Sequence, residues 1–243
     1  MQYPNYHLAT FVSRPNRFIA WCDLAGEQVQ VHVKNTGRNR EILRPGVPVS
    51  LVQSANPKRK TKYDLVAAKV GERWINIDSQ APNHVALAGL EQGIIQLPGL
   101  QDTIQILRPE VVFKDSRFDI YGETAAEKFF VEIKGVTLAN GALAAFPDAP
   151  TSRASKHVTT LMQAAQAGYR SYLCFIVQLT GIETMTVFKQ RDPVLYQTIL
   201  TAQQNNVGVL AYGCHVTPGE LTVQYPVALD LKQSFIEPKL VWW

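Results

Sequence analysis

The run Phe129–Val136, FFVEIKGV, constrains the fold more than any other segment. It is apolar enough to be a buried β-strand, yet it carries Glu132 and Lys134 two residues apart. Successive side chains of a strand alternate faces, and residues two apart lie about 7 Å from each other on the same face. Glu132 and Lys134 therefore project together while Val131 and Ile133 point into the core. Burying a carboxylate and an ammonium costs free energy, tolerated where the groups pair, bind a metal or do chemistry. An E-x-K triplet alone is common on solvated helix faces. Here it has apolar neighbours on both sides, and it follows SRFDIYGE, where Phe118 and Ile120 alternate with Asp119 in a second strand-like run.

Two carboxylates and a lysine on adjoining strands suit a divalent-metal site for cutting phosphodiesters. In-line attack of water needs an ion to neutralise the phosphate oxygens, carboxylates to hold that ion, and a cation to orient the nucleophile or steady the transition state. Asp119 and Glu132 are the expected hard oxygen ligands for Mg²⁺ or Mn²⁺, with the backbone carbonyl of Ile133 as a third and Lys134 beside the attacking water. Glu110, nine residues before Asp119, reads either as a further ligand or base or as an ordinary surface carboxylate. In FPDAPTSRASKH, Asp148 precedes Arg153, Lys156 and His157. These would set phosphate-contacting groups at a helix start whose amides also favour anions. The plainer reading is a charged first turn capped by Thr151 or Ser152.

The 243 residues, 46% hydrophobic and 18% charged, describe a soluble globular chain with room for two modest domains. The amino terminus lacks an uninterrupted apolar core, and no stretch approaches the roughly 18 apolar residues of a spanning helix, so a cytoplasmic protein without membrane partners is expected. Cys22, Cys174 and Cys214 are far apart, with no C-x-x-C pair, and read as reduced core residues. Charge is uneven: residues 1–82 hold twelve Lys and Arg against six Asp and Glu, a net of +6, while the rest holds twelve against fourteen. Such a local excess is the footprint of a polyanion partner, DNA first with RNA left open.

The basic third reads as a β-rich module, residues 1–82, with strands FIAWCDL, EQVQVHV, PVSLVQS, KYDLVAAKV and RWINID and one brief helix within RNREIL. Five short strands fit a barrel of the oligonucleotide-binding type, or alternatively an SH3-like barrel. The loop KNTGRNR gathers Lys34, Arg38 and Arg40, and NPKRKTKY offers Lys58, Arg59, Lys60 and Lys62 beside Tyr63, a pattern suited to phosphate contact plus base stacking. Residues 83–243 form the second domain. After a short helix in APNHVALAGLEQG come strands at IQILRPEVVF, RFDIYGE and FFVEIKGV, then a loop through ANGALAAFPDAP. An amphipathic helix from about Ser155 to Ala167 is followed by strand YLCFIVQL, helix VLYQTILTAQQ and strand VGVLAYGCHV. That alternation gives a mixed sheet flanked by helices, hence an α+β chain. ELTVQYPVAL and the tail ending Trp242-Trp243 carry weaker signals.

These strings together resemble the sugar fermentation stimulation protein A family, from near Arg17 to about Ala228. Arg17-Phe18, His32, Asn35-Thr36-Gly37-Arg38, Asn56-Pro57, Arg59-Lys60-Thr61 and Tyr63 stand in family order. Ser116-Arg117 with Asp119, Val131-Glu132 with Lys134, Val136-Thr137-Leu138 and Phe146-Pro147-Asp148-Ala149 follow. Thr151, Arg153, Lys156-His157 and Asp192-Pro193 close the series. Gly135 stands where Ser is more frequent, and Ala154 where Gly is usual. The resemblance implies a barrel of the oligonucleotide-binding type, a domain similar to the PD-(D/E)XK nucleases, and DNA binding. It leaves two functions: a metal-dependent nuclease, or a non-cleaving DNA-binding regulator of sugar (maltose) metabolism genes.

Overall fold

A computed structural model describes residues 1–35 and 37–238; the Trp242-Trp243 tail lies outside the described residues. Strands β1 (Tyr6–Ser13), β2 (Ile19–Leu24), β3 (Glu27–Val33), β4 (Pro48–Gln53) and β5 (Tyr63–Val70) run in the order β3-β2-β1-β4-β5. A parallel β3–β5 pairing closes them into a barrel, and β6 (Arg73–Asn76) extends the sheet from β5. Alternation does the sorting: Ala20 and Cys22, Val31 and Val33, Val49 and Leu51 point inward and are fully buried.

Two details of the barrel differ from the sequence reading. Its first strand is YHLATFVS, and RWIN is the added sixth. The apolar residues of YHLATFVS fall on both faces, with Ala9 and Phe11 buried but Leu8 58% exposed, so the segment lacks the two-residue signature. No helix forms within RNREIL. Asn39 adopts a left-handed conformation, φ 47°, which an α-helix cannot pass through, and Ile42 and Leu43 turn into the barrel core instead.

The second unit continues with α1 (Ala81–Glu91), β7 (Ile106–Phe113), β8 (Ser116–Glu123), β9 (Lys128–Val136), β10 (Leu138–Asn140) and β11 (Leu143–Phe146). Then come α2 (Ser152–Gln166), β12 (Arg170–Val177), β13 (Thr184–Val187), α3 (Pro193–Gln204), β14 (Val207–Thr217), β15 (Glu220–Pro226) and β16 (Ala228–Leu229). The main sheet has the order β15-β14-β12-β9-β8-β7. Its centre, β9-β12-β14, is parallel and its outer strands are antiparallel. β12 shows how both faces are covered: Leu173, Phe175 and Val177 pack with α2 and α3, whereas Tyr172, Cys174 and Ile176 pack with α1. Where a loop was expected through ANGALAAFPDAP, β10 and β11 form a hairpin within a second sheet, β10-β11-β13-β16. Helix α2 starts three residues before Ser155 because the Thr151 hydroxyl accepts from Ala154 N–H at 3.2 Å. All three cysteines are free and buried. Among the described residues no helix is long and apolar enough to cross a membrane.

Candidate active site

β9 carries the site. Phe130 and Val136 share the α2 side of the sheet and Val131 and Ile133 the α1 side, so Glu132 and Lys134 face α2, as their two-residue spacing requires. Glu132 is 1% exposed. Its Oε1 accepts from Lys134 Nζ at 2.5 Å and from His157 Nδ1 at 2.5 Å. His157 stands on the buried stripe of α2 formed with Ala154, Val158, Leu161 and Ala164. Its other nitrogen, Nε2, lies 3.5 Å from Arg153 Nε, which can only donate, so the imidazole proton belongs on Nδ1. Burial disfavours the Glu132 anion, but the His157 hydrogen bond and Lys134 outweigh it and hold the carboxyl below the usual range. Glu132 Oε2 is buried and has no hydrogen-bond partner among the described residues.

Asp119 sits where β8 parts from β9. The ladder runs from Glu123↔Lys128 to Ile120↔Val131, and at the next position a side chain takes over: Ile133 N–H donates to Asp119 Oδ2 at 2.7 Å. Phe118 and Tyr121 belong to the core on the α2 side and Ile120 to the core on the α1 side, so the strand's alternation slips by one at Asp119. A slip of this kind re-aims a side chain into the gap between strands. Asn83 of α1 donates to Asp119 Oδ1 at 2.8 Å. Burial first, and the charge of Glu132 second, push the Asp119 carboxyl up. Two neighbouring carboxylates in a dry setting resist joint ionisation unless a cation joins them. Asn83 had no signal in the sequence, being one polar residue in the first turn of a short helix.

The remaining candidates separate into those that join the site and those that do not. His157 joins it, as a partner of Glu132. Arg153 and Lys156 are exposed at the start of α2, and Lys156 reaches Asp115 Oδ2 at 3.0 Å. Glu110 is not brought to the carboxylates. It lies in a break of the β7–β8 ladder with φ 56°, and its side chain, 61% exposed, is 3.5 Å from Arg117.

On the barrel, Lys34 is bound to Asp78, a carboxylate with no exposure, at 2.7 Å. Arg59 makes a two-pronged pair with Asp64 at 2.7 and 2.9 Å. Tyr63, expected to stack a base, is 8% exposed and meets His7 edge to face instead. Arg38, Arg40, Lys58 and Lys60 are exposed, with no ion-pair partner among the described residues.

A cleft of about 320 Å³ joins the two units at the end of β9, bounded by Asn35 and Gly37 of the barrel, Pro82 of α1, Gly135, Asp148 and Gln178. Gly37, Asp148 and Ala149 also line a second cleft of about 810 Å³, which Arg38 and Arg40 share with a third of about 540 Å³ on the barrel. The clefts thus form a continuous series from the barrel's arginines to the end of β9. A separate concavity of about 880 Å³ along residues 90–107 is lined by none of these groups.

Comparison with known proteins places the whole chain. Residues 12–77 match the family described as the SfsA N-terminal OB domain, and residues 80–220 match the sugar fermentation stimulation protein RE domain. A sugar fermentation stimulation protein homolog of Enterococcus mundtii is 46% identical over 242 residues, covering 99% of this chain and all of the relative. One from Lacticaseibacillus casei is 48% identical over 241 residues, covering 99% of each. The structure of Pyrococcus furiosus SfsA in complex with Ca²⁺ superposes with a TM-score of 0.85 at 25% identity, over 95% of this chain and 98% of that one. With both units matched in order and relatives aligned end to end, the chain belongs to the sugar fermentation stimulation protein family.

Proposed function

We propose that this chain binds DNA and hydrolyses its phosphodiester bonds with Mg²⁺ or Mn²⁺ held by Asp119 and Glu132. The observation that carries this reading is Glu132 Oε2, an anionic oxygen buried without a partner on the strand next to a carboxylate that burial and charge drive toward neutrality. Buried polar atoms are rarely left unpaired, and a cation facing both carboxylates removes both costs. The Ile133 carbonyl fits as a further ligand. Its N–H points to the β8 side, where Asp119 accepts it, and extended-strand geometry turns the carbonyl of the same residue the same way. Among the described residues no third His, Cys, Asp or Glu completes a cluster. That suits Mg²⁺, which keeps several waters and is bound through one or two carboxylates plus substrate phosphate. The Pyrococcus furiosus relative was solved with Ca²⁺, another hard cation that selects oxygen ligands.

When bound, the ion supplies charge neutralisation and an activated water. The chain's own residues do the rest. His157 fixes the orientation of Glu132, and Asn83 with the Ile133 amide fixes Asp119. Lys134, 2.5 Å from Glu132 Oε1, is placed to orient the attacking water or to meet charge developing on the phosphate. Arg153, exposed at the head of α2, contacts the incoming backbone. One observation favours the non-cleaving regulator: Lys134 and His157 already bind one Glu132 oxygen, so the lysine's charge partly neutralises that carboxylate.

The test separates the two. Asp119→Asn and Glu132→Gln should each abolish the heat of Mg²⁺ or Mn²⁺ binding in calorimetry. Lys134→Ala should keep the metal and lower turnover by about 100-fold or more. DNA binding should survive in all three. If identically prepared wild type and Glu132→Gln show the same background on single-stranded, duplex and branched DNA, the regulator reading replaces the nuclease.

A further inference from the structure

We infer that the nucleic acid is engaged as a single strand, with a base stacked on Phe18 and its phosphates along the arginine-lined groove beside it. The inference rests on the nucleic-acid reading above and names the class of substrate. Phe18 is a large aromatic side chain left 45% exposed. Its backbone is fixed on both sides. Asn16 Oδ1 accepts from Phe18 N–H at 2.9 Å and from Ile19 N–H at 3.0 Å, and the Phe18 carbonyl accepts from Val33 N–H at 2.7 Å. An exposed ring on a backbone held this firmly suits a platform, because the segment that carries it loses little entropy when a planar group covers the ring. The Arg17 guanidinium already lies over the ring, 4.7 Å from its centroid. A base arriving on that face would release Arg17 to the neighbouring phosphate.

The groove next to the platform, about 540 Å³, is lined by Arg14, Arg17, Arg38 and Arg40 together with Pro15 and Pro45, and by no carboxylate. Arg14 organises it. Its guanidinium donates to the carbonyls of Asn35, Gly37 and Arg38 at 2.6 to 2.8 Å and to that of Arg17 at 2.7 Å, binding the Arg17 loop to the Arg38 loop. Arg14 is therefore a positioning residue, while Arg17, Arg38 and Arg40 keep their charges for a ligand. Duplex bases present only their edges, whereas unpaired bases offer faces to aromatic side chains. An exposed ring beside a run of cations fits the second case.

Fluorescence anisotropy with a short oligodeoxythymidylate and a duplex of equal length tests this across a salt series, with an oligouridylate as the RNA arm. The wild type should prefer the single strand. Phe18→Ala should weaken single-strand binding about tenfold without changing the salt slope, and Phe18→Trp should restore it. Replacing Arg17, Arg38 and Arg40 together by Ala should flatten the slope by about two units. Unchanged melting temperatures would show that these exposed positions leave the fold intact. Preference for the duplex, or single-strand binding that Phe18→Ala leaves untouched, overturns the inference while DNA binding and metal binding stand. Failure of the wild type to bind any of the three probes overturns the DNA-binding reading as well.

Discussion

Asp64 decides what the basic loop before β5 can do. It accepts both prongs of Arg59 and lies 2.9 Å from His32 Nδ1, so an arginine that reads as ligand-facing is held against the barrel wall instead. Burial is the largest influence on the Asp64 carboxyl and would raise it, but the hydrogen bonds from Arg59 and His32 and their charges together win and hold it below the usual range. A carboxyl depressed in the folded state stabilises above its unfolded pKa, and that contribution is lost as pH falls through the folded value. Asp64→Asn should therefore lower stability by about 1–3 kcal/mol at neutral pH in urea unfolding. The gap to wild type should close below the carboxylate range. A gap that persists in acid would mean that shape, and not charge, holds the loop. Arg59→Ala should likewise cost stability yet leave the salt slope of DNA binding unchanged, whereas Lys58→Ala with Lys60→Ala should flatten it. Sequence alone showed four cations before a tyrosine, and nothing in that pattern tells which one an aspartate a few residues on has already taken.

The β8–β9 hairpin is the element on which the site depends, and its legibility was uneven for physical reasons. β9 was readable because a period of two survives even in a strand buried on both faces once two charged residues mark one face. The slip at Asp119 was not, since Ile120 and Tyr121 are both apolar and either could have continued the alternation. β10, β11 and β13 escaped notice because they span only three or four residues, too short to show a period. The stripe of α2 was plain in Ala154, Val158, Leu161 and Ala164, and it included His157, whose inward position was therefore written in the spacing although its partner, twenty-five residues upstream, was not. Register in the hairpin is held by Gly122, directly opposite Phe129. A Cβ at Gly122 would stand 2.1 Å from the Phe129 ring, which has no exposure. Gly122→Ala should then cost about 1–3 kcal/mol as the ring is forced from its place. It should also weaken metal binding in calorimetry, because the same two strands set the spacing of Asp119 and Glu132. Undiminished metal affinity in a destabilised variant would show that the split end of the hairpin is positioned by α1 and α2 instead.

At the scale of the molecule, the barrel and the mixed-sheet unit share a core and a set of buried polar contacts. One cluster of buried residues runs from Val31 and Leu51 of the barrel to Phe175 and Leu161 beyond it. The first residues of the chain dock on the far unit, with the Met1 amino group donating to Leu221 O at 2.7 Å and Tyr3 N–H to Gly219 O at 2.8 Å. Gln178 donates to Asn76 Oδ1 at 2.9 Å, and Lys34 and Tyr3 both reach Asp78 Oδ2, at 2.7 and 3.3 Å. None of this was visible in a sequence that divides cleanly by charge near residue 82, because composition reports what a segment is made of and not what it packs against. The consequence is mechanical: Lys34 anchors the strand end that leads into Asn35 and Gly37, and those two residues wall the cleft at the end of β9. Lys34→Met removes the charge opposite a carboxylate with no exposure, so it should cost about 3–5 kcal/mol. The loss should fall on the whole chain and not on the barrel alone. In native-state hydrogen exchange, amides of β1–β5 and of β12 and β14 should reach the same limiting free energy in the wild type and drop together in the variant. Barrel amides that open at a distinctly lower free energy, or a Lys34→Met variant that melts in two steps, would show two independently folding halves, and the barrel's arginines would then lack the fixed position relative to Asp119 and Glu132 that delivery of a strand to them requires.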